Sequence, residues 1–189
     1  MMMNAVIAEL IWVAGIVAWV AIRYPFQRRA KRLGVERRSS EGLDRVLLRL
    51  ALWGQFLIPF SYVAVSLGTR NPIFGDYLFH PIQGWLGLAF MVAALGLFRL
   101  THKQLGRNWS VTLETRQDHA LVTDGLYAYV RHPMYSSFLL SSIAQALLIP
   151  NWIAGPIGLV AFGLLFFIRV GREEALMIAT FGDQYRDYM

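Results

Sequence analysis

Long apolar runs with almost no charge constrain this chain more than any other feature. The first, at 4–22, holds Glu9 as its one charged residue, and comparable runs follow at 45–68 and 81–100. A helix of about 20 apolar residues is long enough to span the hydrocarbon core of a bilayer. Because backbone polar groups in that core must be satisfied within the segment, we expect all three runs to be helices. The sequence therefore predicts an all-α integral membrane protein.

Two shorter apolar runs follow nearer the C-terminus, at 136–149 and 152–168. They are separated only by Pro150 and Asn151, residue types that favour turns. Two apolar runs joined so closely are typical of a helical hairpin, the antiparallel pairing of two neighbouring helices. Together with the three longer runs, this pattern predicts about five transmembrane helices.

Nothing in the composition divides the chain, so we expect a single membrane domain over residues 1–189. Hydrophobic residues make up 56% of the chain and charged residues only 16%, proportions that fit a membrane protein. Residues 1–100 would supply three N-terminal spans. Residues 101–189 would form a second part, with a polar loop, the helical hairpin and a C-terminal tail.

Basic residues are distributed unevenly among the loops. Of the 18 Lys and Arg residues, Arg70 is the only one in the 69–80 loop, and the 150–151 turn has none. The others lie in or beside the 23–45 loop, the 101–135 loop and the tail. Because basic loops favour the cytoplasmic side, five spans would place the N-terminus outside and these segments inside. Their position beside apolar runs favours contact with anionic membrane lipids and not with nucleic acid.

Several site chemistries have no support in the sequence. The chain contains no cysteine, which excludes disulfides, thiolate metal sites and a cysteine nucleophile. The four histidines lack metal-binding spacing, and the sequence has neither a glycine-rich nucleotide loop nor a G-x-S-x-G nucleophile motif. We therefore expect neither a metal site nor a hydrolase triad.

The polar stretch from His119 to Tyr135 separates the apolar runs and is the first candidate for chemistry. Pro133 blocks continuation of a preceding helix and is well tolerated at a helix start, so a helix is predicted to begin here. His132 would then lie beside free backbone N–H groups, where an anionic ligand group is favoured. The alternative is an ordinary membrane-boundary signal, with Arg131 at the lipid phosphates.

Charged residues directly after the last apolar run form a second candidate. Arg169 and Glu173 are four residues apart and share one helical face, and Glu174 adds another carboxylate. In a functional site, Glu173 would bind a ligand ammonium or sulfonium, while Arg169 would face a substrate anion. The alternative is an exposed ion pair worth only ~0.3–0.5 kcal/mol.

A third candidate, the turn at 121–127, would form either an apolar slot for a flat ring or an ordinary loop lying on the bundle.

Ordered motifs in the C-terminal half carry a family resemblance. They are H-x-L-V-T-x-G-x-Y at 119–127, R-H-P-x-Y at 131–135, R-x-x-x-E-E at 169–174, F-G-x-x-Y-x-x-Y at 181–188, and a lead-in of L-G-R-N-W-S at 105–110. With a helical hairpin between the second and third motifs, the arrangement resembles the isoprenylcysteine carboxyl methyltransferase family. It is also similar to the wider group of small membrane methyltransferases that includes the phospholipid methyltransferases. The resemblance covers residues 106–188.

This resemblance implies S-adenosylmethionine as methyl donor, bound at the cytoplasmic face in a pocket closed by the C-terminal tail. By position, the residues lining the adenosine side would be His119, Ala120, Leu121, Val122 and Tyr127. Those surrounding the methionine part would be His132, Pro133, Met134 and Tyr135. Glu173 would contact the amino group of the cofactor and Arg169 would face the substrate, which makes these two the expected catalytic residues.

The resemblance further implies a lipophilic or prenylated acceptor, with a carboxylate as the favoured methyl-accepting group. Transfer to a carboxylate is an in-line displacement that needs alignment and exclusion of water and not a general base. An amine or thiol acceptor would need a proton removed. Two departures from the family pattern leave the acceptor open. A Gln that precedes the His in eukaryotic members has its counterpart near Thr112 or Glu114, and Met134 replaces a small residue after the Pro.

Two interpretations outside this family remain open. Membrane sterol reductases have a similar C-terminal pattern and use NADPH, although they are much longer than 189 residues. A non-catalytic membrane adaptor, whose basic loop binds anionic lipid, is the other alternative. The adaptor would bind no nucleotide-like ligand and would tolerate changes at His132 and Glu173, whereas the reductase would bind NADPH.

Overall fold

The computed structural model describes residues 3–30, 37–38, 41–69, 71–106, 114–115 and 120–189. Helices account for most of this part of the chain, so the predicted all-α class is confirmed. The α-helices described are α1 (Ala5–Ala30), α2 (Glu41–Leu52), α3 (Ile58–Thr69), α4 (Pro81–Leu105), α5 (Pro133–Leu148), α6 (Ile157–Phe181) and α7 (Asp183–Tyr188).

Two short turns and one strand pair accompany the helices. A π-helical turn, Trp53–Leu57, joins α2 directly to α3, and a 3-10 turn, Gly125–Ala128, precedes α5. Strands β1 (Arg37–Arg38) and β2 (Glu114–Thr115) pair antiparallel. This pairing joins the segment after α1 to the segment after α4, two stretches that the basic residues assign to one side of the bundle.

Three helical segments in the described part of the chain are long and apolar enough to cross a membrane. They are Ala5–Arg29, Val46–Thr69 and Pro81–Leu105. This finding supports the prediction of an integral membrane protein with three N-terminal spans. Helix α5 has 16 residues, slightly fewer than the ~17–25 typical of a span. The total of five spans and the orientation of the bundle therefore stay predictions.

Several helices extend beyond the apolar runs that predicted them. Helix α1 continues past Ile22 to Ala30 and contains Pro25, although a loop was predicted from Arg23 onward. Helix α4 likewise continues beyond Leu100. An apolar run marks the part of a helix that suits lipid, whereas Arg, Lys and Gln propagate a helix well beyond it. The ends predicted from hydropathy alone were therefore wrong at both helices.

Helix α6 begins at Ile157, five residues later than the predicted start at 152. Asn151 explains the delay, because its Oδ1 accepts hydrogen bonds from the backbone N–H groups of Ile153 and Ala154, each at 2.9 Å. These bonds hold the chain in a turn, and Pro156 then stands at the N-cap of the helix. The turn between α5 and α6 is accordingly longer than the predicted Pro150–Asn151 dipeptide.

The π-helical turn brings a polar side chain into the centre of the bundle. Gln55 is 6% exposed, donates from Nε2 to Ser141 Oγ at 3.1 Å and accepts from Ser142 Oγ at 2.7 Å. A Cβ added at Gly54 would lie 2.5 Å from the Cβ of Ala161, so a glycine is needed where this turn crosses α6. A π-turn inserts one extra residue per turn and often occurs at functional sites.

Two apolar clusters form the core of the described residues. The larger lies among α1, α3, α4 and α5 and has Trp12 and Leu148 fully buried at its centre. The smaller joins α2, α5 and α6, and its buried members are Leu47, Tyr135, Phe162 and Leu165. This second cluster matters for function because it fixes the positions of α5 and α6 beside the charged residues described below.

A polar cluster around Asp76 ties the 71–80 loop to the turn between α5 and α6. Asp76 Oδ1 accepts hydrogen bonds from Tyr62 Oη at 2.8 Å and from Asn151 Nδ2 at 2.9 Å, and Oδ2 accepts from the backbone N–H of Ile73 at 2.7 Å. Burial alone would raise the pKa of Asp76, but the hydrogen bonds from Asn151, Ile73 and Tyr62 outweigh it and lower that pKa. The cluster therefore favours the ionised carboxylate.

We expect Asn151→Ala to destabilise the fold by about 1–3 kcal/mol at neutral pH, because it removes several hydrogen bonds of a side chain that is 2% exposed. Asp76 has a depressed folded-state pKa, so its contribution is complete above the unfolded value of about 3.9 and is lost as pH falls through the folded value. Thermal unfolding in detergent from neutral to acid pH measures both effects, and the variant should depend less on pH than the wild type. Asn71→Ala in the same exposed loop is the matched control. Equal melting temperatures for Asn151→Ala and the control would contradict the assignment.

Candidate active site

A cavity of about 340 Å³ opens among the ends of α1, α2, α5 and α6, beneath the 120–127 segment and α7. This volume lies within the range of ~300–1,000 Å³ found for small-molecule sites. One end of the cavity is lined by charged and hydroxyl-bearing side chains, among them Arg169, Glu173 and Tyr135. The other end is chiefly apolar and aromatic, and Gln55 is a polar residue that lines it. Such a cavity suits a ligand that has both a polar and an apolar part.

Most of the residues expected from the sequence lie around this one cavity. Those that line it are Ala120, Leu121, Val122, Tyr127, His132, Met134, Tyr135, Arg169 and Glu173. Pro133, the buried first residue of α5, does not line it. His119 lies outside the described residues. The structure thus brings the 120–135 stretch and the charged part of α6 together.

Glu173 is held in position by a neighbouring tyrosine. Tyr135 Oη donates a hydrogen bond of 2.7 Å to Glu173 Oε2. Tyr135 is itself 7% exposed, and its ring packs against Phe162 and Phe166, with centroid separations of 6.2 and 5.4 Å. Since the ring is fixed by packing, the hydroxyl fixes one oxygen of the carboxylate. The other oxygen leaves Glu173 with hydrogen-bonding capacity for a ligand cation.

Glu174 has a different environment from its neighbour Glu173. Its Oε1 lies 3.1 Å from a guanidinium nitrogen of Arg131 and 3.2 Å from Nε2 of His132. Helix α5 begins directly after His132, as the position of Pro133 predicted. Glu174 does not line the cavity. It therefore joins the start of α5 to α6 and positions the residues on either side.

We expect Glu174→Gln to lower the free energy of unfolding by at most about 1 kcal/mol. The effect is small because Arg131 is 40% exposed and solvent screens its ion pair with Glu174. In a chain of this size that change lowers the melting temperature by about 2–4 °C. Thermal unfolding should show the shift at low salt and a smaller one at high salt. Asp183→Asn is the matched control, since its ion pair with Arg186 is exposed and should contribute nothing measurable. A larger shift for Asp183→Asn than for Glu174→Gln would contradict this ranking.

The C-terminal tail packs against the segment that precedes α5. Tyr188 Oη donates a hydrogen bond of 2.6 Å to the backbone carbonyl of Tyr127. Tyr185 is 2% exposed, and both Tyr185 and Tyr188 line the cavity. Helix α7 therefore contributes two tyrosine side chains to the lining of the cavity.

Three tyrosines that line the cavity remain protonated at neutral pH: Tyr127, Tyr185 and Tyr188. Burial raises the pKa of Tyr127 well above its usual range, and the negative charge of Glu173 raises it further. Burial, together with the charge of Glu174, raises the pKa of Tyr185 to about 12. Burial also raises the pKa of Tyr188, although Arg131 opposes the shift. These hydroxyl groups can donate hydrogen bonds, but none of them is a base near neutral pH.

Gln104 on α4 holds the turn that begins the 3-10 segment, a role that the sequence analysis missed. Its Nε2 donates to the carbonyl of Asp124 at 2.6 Å, and its Oε1 accepts from the N–H of Leu126 at 3.1 Å. Gly125 between them has φ of +57°, and a Cβ there would collide with Gln104. The Asp-Gly dipeptide signalled the turn in the sequence, but nothing in the pattern linked it to a glutamine on another helix.

Arg23, which lines the cavity, is a second residue that the sequence analysis missed. It had been assigned to a basic loop, but α1 continues beyond Ile22 and brings Arg23 into the cavity lining. Its guanidinium lies 4.9 Å from the ring centre of Trp19, which also lines the cavity. The spacing of four residues between Trp19 and Arg23 is the signal that could have identified the pair.

Comparisons with known proteins show which family this chain resembles. The model of the isoprenylcysteine carboxyl methyltransferase (ICMT) family matches residues 85–179, which include Arg131–Tyr135 and Arg169–Glu174. A protein-S-isoprenylcysteine O-methyltransferase of Schizosaccharomyces pombe is 37% identical over 130 residues, which make up 68% of this chain and 55% of that protein. Protein-S-isoprenylcysteine O-methyltransferase B of Arabidopsis thaliana is 35% identical over 144 residues, 70% of this chain and 71% of that protein.

A relative of the same name from Dictyostelium discoideum is 34% identical over 110 residues, 55% of this chain and 45% of that protein. The chain thus spans about half the length of the S. pombe and D. discoideum relatives that it matches. The family model covers half of the chain, and the A. thaliana relative is matched over more than two thirds of its own length. The chain therefore belongs to the isoprenylcysteine carboxyl methyltransferase family.

Proposed function

We propose that this protein transfers a methyl group from S-adenosylmethionine to the carboxylate of a prenylated cysteine, within the membrane. One observation carries the proposal: a single cavity is lined by a positioned carboxylate, Glu173, by the guanidinium groups of Arg169 and Arg23, and by an apolar aromatic end. The relatives named protein-S-isoprenylcysteine O-methyltransferase support this choice of acceptor.

The residues around the cavity fit S-adenosylmethionine as the methyl donor. Glu173, with one oxygen held by Tyr135, offers a carboxylate to the ammonium group of the amino-acid end. Leu121 and Val122 offer apolar surface to a flat ring, and Tyr127 adds a protonated hydroxyl. When bound, this cofactor supplies a methyl group on a sulfonium, which a nucleophile can displace.

Two guanidinium groups favour an anionic acceptor over an amine. Arg169 is 8% exposed, and Arg23 lines the same cavity. An Arg can bind a carboxylate through two parallel hydrogen bonds, whereas two neighbouring positive charges repel an ammonium group. A carboxylate acceptor therefore fits this end of the cavity better than the amine of a phospholipid headgroup does.

For methyl transfer to a carboxylate, these residues need only orient the reacting groups and exclude water. A carboxylate is already ionised near neutral pH, so it needs no general base to become a nucleophile. Tyr127, Tyr185 and Tyr188 have raised pKa values and would donate hydrogen bonds without taking up a proton. Arg169 would orient the acceptor carboxylate, and α7 would keep water away from the reacting groups. Positioning of this kind supplies a large share of the rate acceleration in such reactions.

We also propose the arrangement of the chain in the membrane. Helices α5 and α6 would be the fourth and fifth spans, and the cavity would open at the cytoplasmic face. The concentration of basic residues in the 23–45 and 101–135 segments supports this orientation, as does the near absence of basic residues from the 69–80 loop. The chain would act as a single membrane domain over residues 1–189.

Calorimetry on the protein purified in detergent tests the cofactor assignment. S-Adenosylhomocysteine, the demethylated product of the donor, should bind, and NADPH should not. Binding of NADPH in preference would support the sterol-reductase interpretation. Binding of neither ligand would support a non-catalytic adaptor, and either result would contradict the proposed function.

A further inference from the structure

The segment at 120–127, here called the slot segment, lines one side of the cavity through Ala120, Leu121, Val122 and Tyr127. Of these four residues, Tyr127 lies in the 3-10 turn, and the other three lie before it, outside the described helices and strands. The hydrogen bonds that keep an α-helix in shape therefore do not fix this part of the cavity. Its position depends on contacts with neighbouring elements.

One side chain of α4 contacts the backbone of the slot segment at two points. Gln104 Nε2 donates a hydrogen bond of 2.6 Å to the carbonyl of Asp124, and Gln104 Oε1 accepts one of 3.1 Å from the N–H of Leu126. The carbonyl of Asp124 also accepts a 3.0 Å hydrogen bond from the N–H of Tyr127, within the 3-10 turn. The amide of Gln104 therefore joins the hydrogen bonds of the turn to α4.

The chemistry of both partners suits this contact. Gly125 lies between the two bonded backbone groups, and a Cβ there would collide with the amide of Gln104, so a glycine permits the close approach. A side-chain amide offers a donor and an acceptor together, whereas an ionised carboxylate only accepts and an ammonium group only donates. Gln104 can therefore bond a carbonyl and an N–H of the same turn at once.

A second contact holds the slot segment from the C-terminal tail. Tyr188 Oη donates a hydrogen bond of 2.6 Å to the carbonyl of Tyr127, so the segment keeps one support when the other is removed. The two supports differ in position, because Tyr188 lines the cavity and Gln104 does not. A substitution at Gln104 therefore leaves every lining residue in the sequence and acts on a bound ligand only through the slot segment.

We infer that Gln104 is a positioning residue for the methyl donor, because its two hydrogen bonds hold the slot segment in the conformation that receives the flat ring. This inference rests on the proposed function and adds a residue outside the cavity lining to it. Without these bonds, a smaller fraction of molecules has the binding conformation, and the apparent affinity falls by that fraction. Once the donor is bound, it favours the same conformation itself. The rate at saturating donor should therefore not change.

Gln104→Met tests this role, because methionine is also unbranched and forms helices well but makes neither hydrogen bond. The Kd for S-adenosylhomocysteine and the KM for S-adenosylmethionine should both rise about tenfold, since one net hydrogen bond changes an equilibrium constant by roughly two- to tenfold. In the same variant, kcat at saturating donor and the KM for N-acetyl-S-farnesylcysteine should stay within about twofold of the wild type. Calorimetry and steady-state kinetics in detergent provide these values.

Hydrogen exchange supplies a measurement that does not depend on turnover. The N–H of Leu126 donates to Gln104 Oε1, so this amide should exchange about tenfold faster in ligand-free Gln104→Met than in the wild type. Saturating S-adenosylhomocysteine should return the exchange close to the wild-type rate. Lys103→Met is the matched control, because Lys103 is exposed on the same turn of α4 and does not line the cavity. It should have the wild-type Kd and exchange rate.

The outcomes separate this inference from the proposed function. A wild-type Kd in Gln104→Met would overturn the positioning role and leave the methyltransferase function intact. A lower kcat at saturating donor with an unchanged Kd would also overturn it, because Gln104 would then act on the reacting groups. An equal loss of affinity in Lys103→Met would do the same, since it would reflect general damage to α4. Failure of the wild type to bind S-adenosylhomocysteine would contradict the proposed function itself.

Discussion

Replacing Arg169 with Ala should lower kcat for methyl transfer about 100-fold and leave the Kd for S-adenosylhomocysteine close to that of the wild type. Arg169 is 8% exposed and lines the cavity. It would orient the acceptor carboxylate, and a misplacement of about 1 Å can cost a factor of 100 in rate. The cofactor's amino-acid end would instead contact Glu173, so cofactor binding should survive the change.

Two further substitutions distinguish a role of Arg169 in orienting the substrate from general damage to the fold. Arg169→Lys keeps the positive charge but loses the planar pair of donors, so we expect an intermediate kcat. Arg172→Ala, on the same helix but outside the cavity lining, is the matched control and should change kcat little. Calorimetry and steady-state kinetics on the three variants provide the measurement. A parallel loss of cofactor binding and turnover in Arg169→Ala would contradict the assignment.

Glu173→Gln should weaken the binding of S-adenosylhomocysteine about tenfold or more. A hydrogen bond to a charged group contributes roughly 1.5–3 kcal/mol, and 1.4 kcal/mol is a factor of ten in Kd. The substituted side chain keeps an oxygen that can accept the hydrogen bond from Tyr135 Oη, so the change removes chiefly the charge. Tyr135→Phe leaves the charge and removes only the positioning hydroxyl, and we expect it to have a smaller effect.

Glu174→Gln is the matched control for Glu173→Gln. The two carboxylates are adjacent in sequence, but Glu174 contacts Arg131 and His132 and does not line the cavity. Its substitution should change the Kd by no more than a few-fold. Isothermal calorimetry at neutral pH with both variants provides the comparison. Equal affinities for Glu173→Gln and wild type would remove Glu173 from the cofactor site.

Much of the fold could be predicted from the sequence because the controlling pattern is local. Apolar runs of membrane-spanning length predicted the first three helices, and Pro133 predicted the start of α5. The spacing of Arg169 and Glu173 placed both on one helical face. Each of these features depends on neighbouring residues, for which the relation between sequence and helix geometry is simple.

The contacts that sequence reasoning could not identify join distant segments of the chain. Arg23 reaches the cavity because α1 continues through Pro25, although the hydropathy pattern ends at Ile22. Gln55 enters the bundle because a π-turn shifts the register of the helix beside Ser141 and Ser142. Neither the extra residue of a π-turn nor the partners of a buried amide has a local signature.

Transfer of a labelled methyl group tests the central claim most directly. Membranes that contain the protein are incubated with methyl-labelled S-adenosylmethionine and N-acetyl-S-farnesylcysteine, and the product is then treated with base. A methyl ester releases its label as volatile methanol, so we expect base-labile product from the wild type and about 100-fold slower formation by Arg169→Ala. Label that stays bound to the product after base treatment, or formation of product at equal rates by both proteins, would contradict carboxyl methylation at this site.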